Sequence, residues 1–409
     1  MKFSKNALLA MAVSSVLGTA NINAEEATTF VDAIKDGKTT LNFRFRVEDV
    51  AQDATPSDAE ATAITLRTRL TFASGSYNGW SGLVEFDHVQ EIDEVDYNSG
   101  PAGPSFPGAG TVLDPEGTDL NQAYISYTHG DSVYKYGRQR ILLDNQRFVG
   151  GVGWRQNEQT YDALSFANKS VENLTLFGAY VYNVNRIFGD EVAAGNQQNE
   201  TILLNAKYEF KDVGSLTGYY YAIDNLDALA FSTNTMGLRF NGKAGDFSYT
   251  AEFANQSDGG DSPADYSATY TLLEGAFKAG PVNIKAGYEV LGANGADGQF
   301  ITPLATLHAY QGWTDKFLGG GSGNIAGGIE DMYLNVGGKI GKVSAAVVYH
   351  SLASDDSGVS GMDDLGSELG LVVKGNAGPF GLLAKYAQYS ADDFATDTDK
   401  LWLMATLNF

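Results

Sequence analysis

The sequence predicts an all-β fold: a transmembrane up-and-down antiparallel β-barrel of about 18 strands, with short periplasmic turns at one end and long extracellular loops at the other. Three observations carry this. Stretches of alternating apolar and polar residues recur along most of the chain. The connections between them alternate long and short. The last ten residues form one more such stretch, with Leu401, Leu403, Ala405, Leu407 and Phe409 on an apolar face and Trp402, Met404, Thr406 and Asn408 on a mixed one. A bare apolar edge strand invites aggregation in water. It makes sense where it closes a barrel against the first strand and turns its apolar face to lipid.

The start of the chain reads as an export signal. Lys2 and Lys5 precede an apolar run over residues 7–17 and a small-residue stretch ending at Ala24, the pattern of a secretory signal peptide over residues 1–24. The run falls short of the roughly 20 residues a spanning helix needs, and no other stretch qualifies. Residues 25–38 are expected as a short periplasmic segment in which 30–34 form a helical turn or two, and 39–409 as a single barrel domain. With 48 Gly, 22 Tyr, 22 Phe and only 9 Pro, the composition suits twisted strands joined by turns. The absence of cysteine fits a protein that needs no disulfides. Removing Lys2 and Lys5 from the 27 basic residues leaves 25 against 50 acidic ones, a balance that argues against nucleic acid as a partner.

Taken in order, residues 39–48 set Leu41, Phe43, Phe45 and Val47 against Asn42, Arg44, Arg46 and Glu48. Residues 64–72 set Ile64, Leu66, Leu70 and Phe72 against Thr65, Arg67, Arg69 and Thr71, and 80–88 set Val84 and Phe86 against Glu85 and Asp87. Further strands are expected at 119–128, 132–141, 160–168, 174–183, 201–210, 216–223, 234–240, 247–254 and 266–277. The series ends with 282–291, 329–337, 343–351, 368–374, 382–389 and 400–409. Connections 49–63, 89–118, 184–200 and 292–328 are long, whereas 73–79, 129–131, 211–215 and 338–342 are short. A sandwich or propeller has no reason to keep one end short; an outer-membrane barrel does. Phe72, Trp80, Tyr127, Phe210, Phe240 and Phe277 lie near strand ends, where aromatic girdles mark the lipid–water boundary. With so many polar positions on the inner face, the barrel should be wide and wet. The terminal strand is similar to the assembly signal of bacterial outer-membrane proteins. The resemblance implies the outer membrane of a Gram-negative bacterium, with its lipids, its lipopolysaccharide and the barrel-assembly machinery as partners.

Basic residues fall on strands. Arg44, Arg46, Arg67 and Arg69 occupy inward positions of two adjacent strands and should form one cationic patch, because a charge facing lipid at mid-bilayer costs about 2–4 kcal/mol. Lys207, Arg239, Lys285, Lys374 and Lys385 add inward charges, and Glu85, Asp87, Glu209 and Glu289 neutralise some of them. Either this ladder solvates the lumen, or it also selects polar or anionic solutes; both readings stand. Acidic residues gather in the outer-loop stretches 91–96, 258–265, 355–364 and 392–399. They solvate the loops; the sharper option is loop-bound divalent cations bridging to lipopolysaccharide. No other cofactor or metal is expected.

The most distinctive run is 134–164. It holds Tyr136-Gly137-Arg138-Gln139-Arg140, Leu143-Asp144-Asn145-Gln146-Arg147-Phe148-Val149-Gly150, Val152-Gly153-Trp154-Arg155-Gln156 and Tyr161-Asp162-Ala163. These residues form the third outer loop and its flanks, rich in Arg, Gln, Trp and Gly where other loops carry Asp and Ser, a composition suited to folding into the lumen. Arg147 and Arg155 offer planar forks for carboxylates, Trp154 a stacking face, and Asp144 a local acid. Arg138 and Arg140 share parity with outward Tyr134 and Tyr136. Either Gly137 carries a bulge that switches the face, or both arginines sit above the membrane edge.

The run resembles the alginate export family of outer-membrane barrels, in its Gly-Arg-Gln strand end, Gln-Arg-aromatic-Val-Gly loop and Trp-Arg-Gln turn. The resemblance implies an 18-stranded barrel and a strongly positive pore for a polyanionic uronate chain, with a long periplasmic plug loop. This chain departs from it by being acidic overall and by having only short connections at the periplasmic end. The expected function is therefore a porin for passive passage of small polar or anionic solutes, including oligosaccharides or uronates, through an arginine-lined lumen narrowed by the third loop. A dedicated exporter of an anionic polysaccharide is the alternative. No enzyme is expected; a barrel-embedded outer-membrane enzyme is the last alternative, and against it His88, His129, His308 and His350 sit in no His-x-x-x-His or Ser-centred motif.

Overall fold

The computed structural model describes residues 26–53, 58–93, 96–103 and 105–409, so the expected signal peptide lies outside the described residues. Eighteen antiparallel strands pair each with the next, and the last pairs with the first. The first nine are β1 (Lys38–Gln52), β2 (Ala59–Ala73), β3 (Trp80–Glu91), β4 (Gly117–His129), β5 (Ser132–Gln139), β6 (Thr160–Asn168), β7 (Leu174–Asn185), β8 (Asn196–Phe210) and β9 (Gly214–Ile223). Then come β10 (Thr233–Ala244), β11 (Phe247–Asp258), β12 (Ser267–Ala279) and β13 (Val282–Leu291). A two-residue hairpin, β14 (Ala293–Asn294) with β15 (Gly298–Gln299), lies inside a loop and outside the barrel sheet. The wall is completed by β16 (Ile329–Ile340), β17 (Val343–Ala353), β18 (Asp364–Ala377), β19 (Phe380–Ser390) and β20 (Thr398–Asn408).

Closure follows the alternation in the last strand. β20 pairs with β1 from Asn42↔Asn408 to Gln52↔Thr398 and with β19 on its other side, so neither edge is left bare. Leu401 and Leu403 stay 39% and 45% exposed on the outside, while Trp402 between them is fully buried on the inside. The same parity runs round the wall: Phe45, Leu70, Phe86, Leu238 and Phe253 face outward, and Arg46, Arg67, Asp87, Arg239 and Glu252 face inward. Five of the short turns (130–131, 245–246, 280–281, 341–342 and 378–379) are two-residue links beginning with a glycine at φ between 54° and 62°. A primed hairpin turn requires this conformation, and it matches strand twist.

The first outer connection is shorter than its sequence suggests. β1 and β2 continue pairing to Gln52↔Ala59 and leave only 53–58 as loop 1. The extension is held because Val50, Ala61 and Ala63 pack with Tyr97 and Val112 of loop 2 (92–116). The remaining loops used below are loop 3 (140–159), loop 4 (186–195), loop 5 (224–232) and loop 7 (292–328). Before the barrel, α1 (Phe30–Lys35) is capped by Thr29, whose hydroxyl accepts from Asp32 N–H at 3.1 Å. Its Ala33 carbonyl accepts from Gly75 N–H in the first periplasmic turn.

Candidate functional site: a lumen filled by loops 3 and 7

The outer half of the lumen is not the open water column that the polar inner face suggests. Loops 3 and 7 fold inward and join: Gly150 N–H donates to Leu304 O at 2.8 Å, and Thr306 N–H to Gln146 O at 3.0 Å. The approach is so close that a Cβ on Gly150 would meet Thr306 Oγ1 at 2.3 Å. Phe148 packs among inward Tyr219 and Tyr270 of the wall and Phe300 of loop 7, with ring centroids 5.1–5.7 Å apart. Ile141, Leu143, Val149 and Leu304 belong to the same cluster. The filling is apolar because Tyr219, Tyr221 and Tyr270 supply ring surface on the inner wall that loop side chains can cover.

Charge also holds the loops to the wall. Arg155 of loop 3, 3% exposed, bonds Glu48 of β1 at 3.1 Å and Asp315 of loop 7 at 2.6 Å. Arg46 of β1 bonds Asp114 of loop 2 at 2.8 Å, and Asp114 also accepts from Gln156 N–H at 2.7 Å. Arg44 donates to the Gly153 and Arg155 carbonyls and to Gln156 Oε1, while Arg67 reaches Asn42 Oδ1 at 2.6 Å. Arg147 is fully buried against Glu289 at 2.8 Å and Thr302 at 3.1 Å. Buried ion pairs of this kind define where a loop sits, since stranding either partner is costly.

A second network faces the gap between wall and loop. Arg69 bonds Asp87 at 2.5 Å, and both Arg69 and Arg140 bond Glu158 of loop 3. Glu85 accepts from Arg140 at 2.5 Å. Although Glu158 is buried, Arg140 and Arg69 hold its carboxyl well below the usual range. Asn121, the residue displaced from the β3–β4 register, donates to both Glu85 and Glu158. The ladder through Gly137 has no register shift, although Gly137 has φ +120°. Arg138 stays on the wall, paired with Asp162 at 2.8 Å. Arg140 lies past the end of β5 and is free to turn inward.

Trp154, Lys385 and His308 form the centre of the filled region. Trp154 stacks on His308 with ring centroids 4.5 Å apart, and Trp402 stands edge-on to both. Lys385 Nζ donates to His308 Nε2 at 2.7 Å and lies over the Trp154, Trp313 and Trp402 rings at 4.2, 3.9 and 5.2 Å. His308 Nδ1 donates to Asp315 at 2.7 Å. Among the predicted residues, Asp144 accepts from Asn205 at 2.8 Å and Arg239 pairs with Glu252.

Below the loops the inner face is open to solvent. Lys285 and Glu274, paired at 2.9 Å, have side chains 34% and 23% exposed, and Lys207 is 20% exposed beside Glu209. Lys374 is exposed on the same inward parity. The partners missed in the sequence include Asp114, Glu158, Glu252, Glu274, His308, Asp315 and Trp402. Loop 7 carried a readable signal: its stretch 300–318, with Phe300, Ile301, Leu304, Leu307, Trp313 and Phe317, is too apolar for a solvated loop.

A closed 18-stranded wall, apolar outside and polar inside with long loops at one end, defines an outer-membrane β-barrel of porin architecture in a Gram-negative bacterium. The sequence model of the family described as Alginate export matches residues 37–295, and the chain belongs to the alginate export family. Among solved structures it is similar to OccAB2 of Acinetobacter baumannii (15% identity, 92% of this chain and 99% of that one, TM-score 0.69). It is also similar to two Pseudomonas aeruginosa proteins. For OccD3 (OpdP) the values are 14% identity, 92% of each chain and TM-score 0.68. For OpdK, solved with vanillate, they are 12%, 92% and 99%, and 0.67. No curated protein matches the chain by sequence.

Proposed function

We propose that this protein is a passive outer-membrane channel for small polar or anionic solutes, narrowed by loops 3 and 7 together. The observation that carries the reading is the charged inner wall, open to solvent below the loops and cross-linked above to loop 3 through Arg155 and Arg147 and to loop 2 through Arg46. The inward arginines then act chiefly as clamps that fix the constriction. Family membership favours one rival, export of an anionic polysaccharide. Against it stands the apolar packing of Phe148, Phe300 and Tyr270, which leaves little room for a hydrated polymer on that side. Planar-bilayer recording on the purified protein tests the reading. Stepwise ohmic conductance is expected, larger after residues 145–156 are replaced by a short Gly-Ser linker. Silence from both proteins would overturn it. Persistent block of the wild-type current by uronate oligomers, with none by uronate monomers, would favour the polysaccharide reading.

A further inference from the structure

Five outer structures converge on a cavity of about 310 Å³ that none of the clamps above explains. Loop 4 begins with Arg186, directly after β7, and supplies Ile187 and Phe188; loop 5 supplies Phe231; loop 7 supplies Leu307 and Leu318. Loop 2 closes one side and Gln197 of β8 another. The floor is Arg155, already paired with Asp315, and the His308 ring, which donates to the same carboxylate. Arg186 is different. Its Nη1 is buried with no hydrogen-bond partner, and no carboxylate among the described residues forms an ion pair with it. Loop 7 makes room for the guanidinium with Gly321, at φ +106°, where a Cβ would stand only 3.3 Å from Arg186 Nη2. A guanidinium nitrogen cut off from solvent beside a largely apolar cavity, without a counter-charge, is an expensive arrangement unless a ligand supplies the charge.

The geometry points to a vestibule site, on the extracellular side of the constriction, for a small monocarboxylate with an apolar, ring-sized body. The carboxylate would take the two-pronged face of Arg186, as planar forks favour. The body would lie against Ile187, Phe188, Phe231, Leu307 and Leu318. A cavity of about 310 Å³ is at the small end of ligand sites, too small for a polymer segment of several sugars. Sugar hydroxyls would also find few partners on these walls. The inference rests on reading the barrel as a solute channel, and identifies which solutes pause at its mouth.

The test is calorimetric titration of the purified full-length protein in detergent, with benzoate as the probe. Benzamide, glucuronate and inorganic phosphate serve as controls. Benzoate should bind at least ten-fold more tightly than any control. Arg186→Gln should weaken benzoate at least ten-fold, as expected for a lost hydrogen-bonded charge pair. Phe231→Ser should weaken benzoate and leave the weak phosphate response unchanged. Arg186→Met, which removes the unpaired charge, should raise the thermal midpoint of the empty protein while abolishing the benzoate signal. Equal binding of benzamide, glucuronate or phosphate overturns the inference, as does wild-type affinity in Arg186→Gln or a lowered midpoint in Arg186→Met. A barrel that conducts without binding benzoate sinks the vestibule site and spares the channel. Arg186-dependent benzoate binding without conductance does the reverse.

Discussion

Trp154 of loop 3 lies flat on His308 of loop 7, with ring planes 7° apart and centroids 4.5 Å apart. Both rings meet the face of the wall where Trp402 closes the barrel, so a single stacked pair joins two loops to the seam between first and last strands.

Removing that ring should release the constriction. Trp154→Ala deletes a large side chain packed against Arg46, His308, Lys385 and Trp402. Large-to-small changes of this type cost about 3–5 kcal/mol. Urea unfolding in lipid vesicles should register a loss near the lower bound, because water can enter the lumen. Single-channel traces should show larger and noisier currents. Quiet traces of wild-type size would mean that Trp154 does not hold the loops.

The Arg147–Glu289 pair offers a cleaner measurement. Both side chains are almost completely buried, and Glu289 also accepts from Tyr270 and Gln311. Arg147→Met or Glu289→Gln alone should cost about 3–5 kcal/mol, since each strands a buried partner. Arg147→Met combined with Glu289→Gln should cost clearly less than the two single losses added together. Simple additivity in the double-mutant cycle would show that the residues act independently.

Much of this architecture was readable from residue pattern, because lipid forces a period of two on every strand and a short turn at one end. The parity of Leu401, Leu403 and Trp402 placed the closing strand, and Arg44, Arg46, Arg67 and Arg69 fell on the inner face of β1 and β2. Partners were not readable. Arg46 meets Asp114 and Arg155 meets Asp315 across long stretches of sequence, and alternation carries no information about which loop turns inward. Polar inner positions predict a wet lumen, yet Tyr219, Tyr221 and Tyr270 are polar only at their tips. Their rings gave loops 3 and 7 an apolar surface to cover. The extra length of β1 and β2 was hidden for a related reason: loop 2 supplies the packing that makes it stable.

Acid should loosen the same region. Burial pulls the His308 imidazole down to about 3, against an ordinary value near 6.5, despite the opposing pull of Asp315. The ring is therefore neutral in the folded protein and protonated in the unfolded chain between those values. With a depressed folded value, its stabilising contribution is complete above pH 6.5 and is lost as pH falls toward 3. The linkage slope is about 1.4 kcal/mol per pH unit within that window. Asp315, also held below its usual range, adds a loss of the same sign only at more acidic pH. Unfolding midpoints at pH 7, 6 and 5 should fall progressively for the wild type and more gently for His308→Gln. Parallel slopes for the two proteins would assign the acid sensitivity elsewhere.

Ion preference should follow charges that water reaches. Arg46, Arg147 and Arg155 are neutralised within buried pairs, and the Arg69–Arg140 network sets its arginines against Glu85, Asp87 and Glu158. Lys285 is balanced by Glu274, but exposed Lys374 has no ion-pair partner among the described residues. Lys374→Glu should therefore shift the reversal potential in a salt gradient toward cations. The shift should be clear near 0.1 M salt and small near 1 M, where the screening length falls from about 10 Å to about 3 Å. Arg46→Gln, which leaves Asp114 buried and uncompensated, should instead reduce the amount of folded barrel. If Lys374→Glu leaves the potential unmoved at low salt, this part of the inner face lies off the conducting path.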